Sequence, residues 1–179
     1  MKERKTELAT SIKDKKFTAE EASLTLQKIY TEATIIQKSF GDTVEEIMRS
    51  QGFEKKWGEK TILDVPRAVK VTGLSDGVFR TNMHKKDCVV DMACVISMCI
   101  GFQLSPILTQ RLLQSAGLDF RLDNPDHIAY LFLLEHCKDY TIKECNEILT
   151  YLGVDKNRLL GSRPRGENGE PAEYNSRKK

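Results

Sequence analysis

The side chains able to make or break bonds are few, and their spacing does not suit that work. The five cysteines are Cys88, Cys94, Cys99, Cys137 and Cys145, an odd count with no C-x-x-C pair. A cysteine nucleophile needs a nearby base and an exposed, polar setting. Three of these thiols instead sit in one apolar stretch, with His84 the only histidine near it. They read as small buried hydrophobes in a reducing cytoplasm, not as a disulfide frame. His136, Cys137 and Cys145 match no zinc-ligand spacing. Asp123 and Asp126 flank an "NPD" turn, where capping accounts for them better than acid/base catalysis. No G-x-x-x-x-G-K-[ST] loop, G-x-G-x-x-G or H-E-x-x-H occurs. The expectation is a protein that is not an enzyme and holds no metal and no cofactor.

The totals set the class. The chain has 179 residues, 40% hydrophobic and 30% charged, enough for a core beneath a well-solvated surface. A net charge of +2 lends only weak global support to a nucleic-acid partner. The N-terminal "MKERKTELATSIKDKK" has no apolar h-region, and the apolar run from Cys88 to Phe102 is too short to cross a bilayer. A soluble, cytoplasmic protein with no membrane partner is expected. The basic ends, "KERK" and "SRKK", are either solvated termini or non-specific nucleic-acid contacts.

Apolar spacing of three and four residues, with few period-two stretches, points to an all-α helical bundle. Thr18 and Glu21 form a capping box. Ala22, Leu26, Ile29, Ala33, Ile36 and Phe40 follow as a short coiled-coil-like seam. That seam lies on the chain's own core or serves dimerisation. Thr43 and Glu46 make a second box, before a helix bearing Val44, Ile47 and Met48 that Gly52 stops. "EKKWGEK" reads as a loop, which Trp57 either anchors to the core, the favoured reading, or carries to an interface. Cys88 to Ile100 reads as a central helix, apolar on all sides and ended by Gly101. Ser105-Pro106 opens a helix with Ile107, Leu108, Leu112 and Leu113. Asn124-Pro125 opens one with Ile128, Leu131, Phe132 and Leu134 on its apolar face. Thr141 and Glu144 form a third box before Ile148, Leu149 and Leu152.

Two stretches match at an offset of 36 residues: "MACVISMCIGFQLSPILTQRLLQSAGLD" and "IAYLFLLEHCKDYTIKECNEILTYLGVD". Each reads as an apolar helix, a capped turn and an amphipathic helix ended by glycine. This tandem helical-hairpin repeat speaks for packing rather than chemistry.

Between Val65 and Lys86 lie two short helices hinged at Gly73. Asp64 caps the first, with Pro66 in its opening turn. Ser75 caps the second, which buries Val78, Phe79 and Met83. Val69 stands four residues before the glycine, at the closest approach of the two helices, and Phe79 six after it. In this frame the chain resembles the Cro/C1-type (XRE-like) helix-turn-helix family of bacterial transcriptional regulators. The basic "HKKD" that follows and the C-terminal helical-hairpin extension add to the likeness, which covers about 42–155. The resemblance implies a recognition helix from Ser75 to Lys86, entering the major groove of double-stranded DNA. Ser75, Arg80, Thr81 and His84 would then face DNA, with Arg80 the base or phosphate reader. Lys85 and Lys86 would hold phosphates, and Arg67 and Lys70 on the first helix would add backbone contacts. The departures are Val69 in place of a smaller residue, the negative Asp76, the featureless Gly77, and Asn82 where an apolar residue is common.

The domains expected are an N-terminal helical segment (1–41), a helix-turn-helix domain (42–103), C-terminal hairpins packed on it (104–155) and a disordered tail (156–179). Two functions compete. One is a DNA-binding transcriptional regulator acting as a homodimer, since one recognition helix reads few base pairs. The other is a non-catalytic helical interaction module with a protein partner, for which the low charge and the Asp76-Gly77 pair speak.

Overall fold

The structure, a computed structural model, describes residues 21–27, 39–84, 89–137 and 139–162. The protein is mostly helical, with one small antiparallel hairpin among the described residues. The chain forms two units, 1–36 and 37–179. In the first, residues 21–27 are helical and hold Ala22 and Leu26 of the seam. Ile29, Ala33 and Ile36 lie outside the described residues. So does the Thr18 cap.

Phe40 does not close that seam. It opens helix α1 (Phe40–Ser50) of the second unit, where it is buried. Ser39, not Thr43, is the cap: its Oγ accepts from the Asp42 N–H. Thr43 sits one turn into the helix, buried, and donates to the Ser39 carbonyl at 3.0 Å. Ser39 offers the same kind of hydroxyl acceptor four residues earlier, and taking it buries Phe40 as well.

"EKKWGEK" is not a loop. β1 (Glu54–Trp57) and β2 (Lys60–Leu63) pair antiparallel, Trp57 opposite Lys60 and Glu54 opposite Leu63. Gly58, at φ 61°, makes the tight turn that joins them. Trp57 is no anchor either, being 72% exposed at the tip. Phe53 anchors the root, its ring 4.9 Å from that of Phe102 in an edge-to-face contact.

Helices α2 (Val65–Thr72) and α3 (Asp76–His84) follow, then α4 (Met92–Gly101), which is buried almost all round. α4 begins later than the apolar run, since Val89 is exposed and Asp91 is the N-terminal flanking residue. α5 (Pro106–Ser115), α6 (Pro125–His136), α7 (Ile142–Tyr151) and a 3-10 turn (Lys156–Arg158) complete the unit. α4 packs against α2, α5, α6 and α7, which makes it the axis of the core.

The repeat at 36 residues has matching local geometry. Ser105 and Thr141 cap α5 and α7, each accepting a backbone N–H three residues on at 3.3 Å. Gly117 and Gly153 take left-handed φ of 67° and 81°. The residue after each returns its N–H to the last turn, Leu118 to Leu113 and Val154 to Leu149. α6 differs from its expected face. Ala129, Tyr130 and Leu133 are buried, whereas Ile128 and Phe132 are exposed. Every side chain of its middle turns is apolar or aromatic, so periodicity alone does not choose a face.

Within the stretch 156–179, which composition marks as tail, residues 156–162 are built into the unit. Leu160 is buried, and its backbone N–H and carbonyl both bond to the Asn146 side-chain amide. Tyr130 donates its hydroxyl to the Arg158 carbonyl, and Arg158 pairs with Asp126. Residues 163–179 are outside the described set.

Candidate nucleic-acid interface

α2 and α3 are held together by the chemistry of their junction. The Asp64 carboxylate accepts from the Arg67 N–H, and Pro66 sits where a helix needs no donor. Gly73 ends α2 in the left-handed conformation, at φ 66°. Thr72 is fully buried and its hydroxyl donates to the Ala68 carbonyl at 2.9 Å. Leu74 is buried, and Ser75 caps α3 through the Val78 N–H. Ala68, Thr72, Leu74, Phe79 and Asn82 thus form one buried row through both helices. Val69 is only half-buried. Ala68, one position earlier, is fully buried. On α3, Phe79 and Met83 are buried as expected, while Val78 is 39% exposed and Asn82 is buried.

Two neighbours clamp this pair, and both contacts depend on glycine. A Cβ on Gly41 of α1 would stand 1.8 Å from the Met83 carbonyl oxygen at the end of α3. A Cβ on Gly101 of α4 would stand 2.7 Å from the Val71 carbonyl oxygen at the end of α2. No larger residue fits either place without moving backbone. Gly101 is the last residue of α4, as expected, and serves close packing as well. The turn itself is strapped from behind. Ser162 donates its N–H to the Gly73 carbonyl at 2.8 Å, and Gly161 donates to Ser97 Oγ.

The exposed side of α3 is one continuous face. Asp76, Gly77, Arg80, Thr81 and His84 are all exposed. Their spacing places them within an arc of roughly 140°. Ser75 is exposed at its head, and Arg67 and Lys70 are exposed on α2. Of the sequence-derived site residues, Ser75, Arg80, Thr81 and His84 share α3, and Arg67 and Lys70 share α2. Lys85 and Lys86 lie outside the described residues.

Two of the cations are already occupied. Arg80 Nε donates to both carboxylate oxygens of Asp76, at 2.9 and 2.8 Å. Arg67 lies over the Phe53 ring at 4.5 Å and donates to the Gly52 carbonyl. It braces the hairpin root as much as it faces solvent. A Cβ on Gly77 would meet nothing within 4 Å, so packing does not require glycine there.

Burial pushes the Cys99 thiol up to about 12 and the Cys145 thiol up to about 11, and raises Cys137 as well. All three are protonated at neutral pH, so they are poor nucleophiles and poor ligands. Among the described residues, no cluster of three or more His, Cys, Asp or Glu side chains could hold a metal ion. No described helix is long and apolar enough to cross a membrane.

Sequence reasoning missed the hairpin, the Gly41 clamp and the 160–162 strap. The Leu159-Leu160 doublet ahead of the polar tail was the available signal for the last. In comparisons with protein-family models, curated proteins and solved structures, nothing matched this chain.

Proposed function

We propose that the chain is a DNA-binding regulator in which α2, Gly73 and α3 act as a helix-turn-helix, with α3 in the major groove. The observation that carries this reading is the division of α3. Phe79, Asn82 and Met83 are buried, and Asp76, Gly77, Arg80, Thr81 and His84 face outward, with Val78 partly exposed beside them. A recognition helix needs one face for the core and one for base edges. Arg80 is the base or phosphate reader. Ser75, Thr81 and His84 add hydrogen bonds, and Lys70, Lys85 and Lys86 hold backbone phosphates.

The Asp76–Arg80 pair decides whether Arg80 is available. Both side chains are about half exposed, at 58% and 50%. An exposed pair one turn apart contributes about 0.3–0.5 kcal/mol. A bidentate arginine–guanine contact contributes about 1–3 kcal/mol. The exchange therefore favours DNA, with Asp76 acting as a weak placeholder. A protein acting on two half-sites as a homodimer would supply the base pairs that one helix cannot.

Gel shifts on genomic fragments at two salt concentrations test the reading. Arg80→Ala should weaken a specific complex by about 1–3 kcal/mol, roughly 5- to 150-fold. Lys85→Ala should lower the salt slope by about 1. Asp76→Asn should tighten binding by roughly two- to five-fold, because it frees Arg80 and removes a repelled charge. Unchanged affinity and salt slope in both alanine variants would remove α3 from the interface.

The same ion pair motivates a second reading, a helical protein-interaction module with a degenerate helix-turn-helix. With Arg80 neutralised by Asp76, the free surface of α3 carries little net charge. That reading predicts no salt-sensitive DNA complex, and a partner that protects α4–α7 from hydrogen exchange.

A further inference from the structure

The β1–β2 hairpin carries exposed chemistry that the core does not use. Trp57 is the chain's single tryptophan and stands 72% exposed at the tip. A tryptophan buries about 150–250 Å² when it finds a partner. Here the root is already held without it, by Phe53 against Phe102 and by the Asp64 N–H on the Phe53 carbonyl.

The register shows what surrounds Trp57. Its cross-strand partner is Lys60, and the next pair on the same face is Lys55 with Ile62. Lys56 lies on the opposite face, across from Thr61. Lys56 and Lys60 are exposed, and among the described residues neither forms an ion pair, while Lys55 pairs with Asp64. Glu54, the acidic residue of β1, is drawn away from the tip by Arg49 at 2.6 Å. The tip therefore combines an unused aromatic ring with two lysines and the exposed carboxylate of Glu59, one net positive charge. Protein–protein interface cores favour tryptophan but disfavour lysine. An open ring with Lys60 beside it and Lys56 on the far face fits a polyanion with flat apolar edges better.

Only Asp64 separates β2 from α2. In a helix-turn-helix the first helix crosses the sugar–phosphate backbone. A four-residue strand extends about 13 Å, close to the width of a major groove. We propose that the hairpin is a second DNA-contacting element: Lys56 and Lys60 hold phosphates beside the groove that α3 enters, and Trp57 is buried against the duplex. This inference rests on the DNA-binding reading above and adds a site to it.

Trp57 reports on itself, since no other residue contributes tryptophan emission. The full chain is titrated with a labelled, mixed-sequence duplex of about 30 base pairs at about 50 mM salt, where backbone contacts dominate. Anisotropy of the label reads binding, and acrylamide quenching of Trp57 reads its burial. Saturation should lower the quenching constant at least about two-fold. Lys56→Gln with Lys60→Gln should reduce the salt slope by roughly 2, with the unfolding midpoint unchanged. If anisotropy rises while quenching and the salt slope stay the same, the hairpin is excluded and the reading of α3 survives. If anisotropy never rises, both fall together. Protection of Trp57 that grows with protein concentration in the absence of DNA makes the tip a protein contact and overturns the inference.

Discussion

The two copies of the helical hairpin share their local grammar and differ in their surroundings. Both second helices open on a hydroxyl cap, and both end in a left-handed glycine. The first helices part company. Ile96 of α4 is fully buried, whereas Phe132, its counterpart 36 residues on, is 44% exposed. Met92 is buried and Ile128, its counterpart, is half exposed. The difference teaches that a cap and a turn are written in a few neighbouring residues, while burial depends on what packs from outside. α4 is enclosed by α2, α5, α6 and α7; α6 meets α4 on one side and leaves another open.

Matched substitutions should break the symmetry most sharply. Ile96→Ala should cost about 2–5 kcal/mol in urea unfolding, through lost burial and the cavity left behind. Phe132→Ala should cost less, about 1 kcal/mol, because the side chain is already 44% exposed and leaves no closed cavity. Equal losses would mean that the exposed face of α6 is covered in the folded protein.

The caps should show the opposite pattern, similar effects in both copies. Ser105→Ala and Thr141→Ala should each cost about 1 kcal/mol. Thr141→Ala should be the larger, because Glu144 reaches back to the Thr141 N–H and hydroxyl and so closes a reciprocal box. A Ser105 effect twice that of Thr141 would contradict this assignment.

The smallest effect concerns the extra first turn of α6, which α4 lacks. His127 Nδ1 there accepts the Arg121 N–H at 3.0 Å. Burial, and then the nearby Arg121 charge, hold its pKa below the usual 6.5. The unfolded chain therefore takes up this proton more readily than the folded one. Stability is intact above about pH 6.5 and declines as pH falls from there to the folded value, with no further loss below it. His127→Asn keeps an acceptor but cannot titrate, so its unfolding midpoint should fall less between pH 7 and 5 than that of the unsubstituted protein. Parallel pH profiles would remove His127 from the balance.

Among candidate site residues, legibility followed the same division. Asp64, Gly73 and Ser75 were readable as cap, hinge and cap because each acts on its own neighbours. The exposure of Arg80, Thr81 and His84 followed from the period of one helix. The Asp76–Arg80 pair was also within reach of the sequence, being one turn apart on that helix. Val69 is half-buried and Val78 exposed where burial is expected, because adjacent apolar residues leave the edge of the buried face undetermined. The hairpin escaped notice because "EKKW" and "KTIL" lack a strong alternation, and their pairing is made by the Gly58 turn and the Phe53 root.

The sequence alone determined the helical class, most of the turns and caps, and the internal repeat, since those depend on propensities acting over a few residues. Only the tertiary structure decided which faces are buried and where glycine is indispensable. It alone made a strap of residues 160–162 and left Trp57 in solvent. Those outcomes come from contacts between distant segments, such as Gly41 with Met83 or Ser162 with Gly73, which no local pattern encodes.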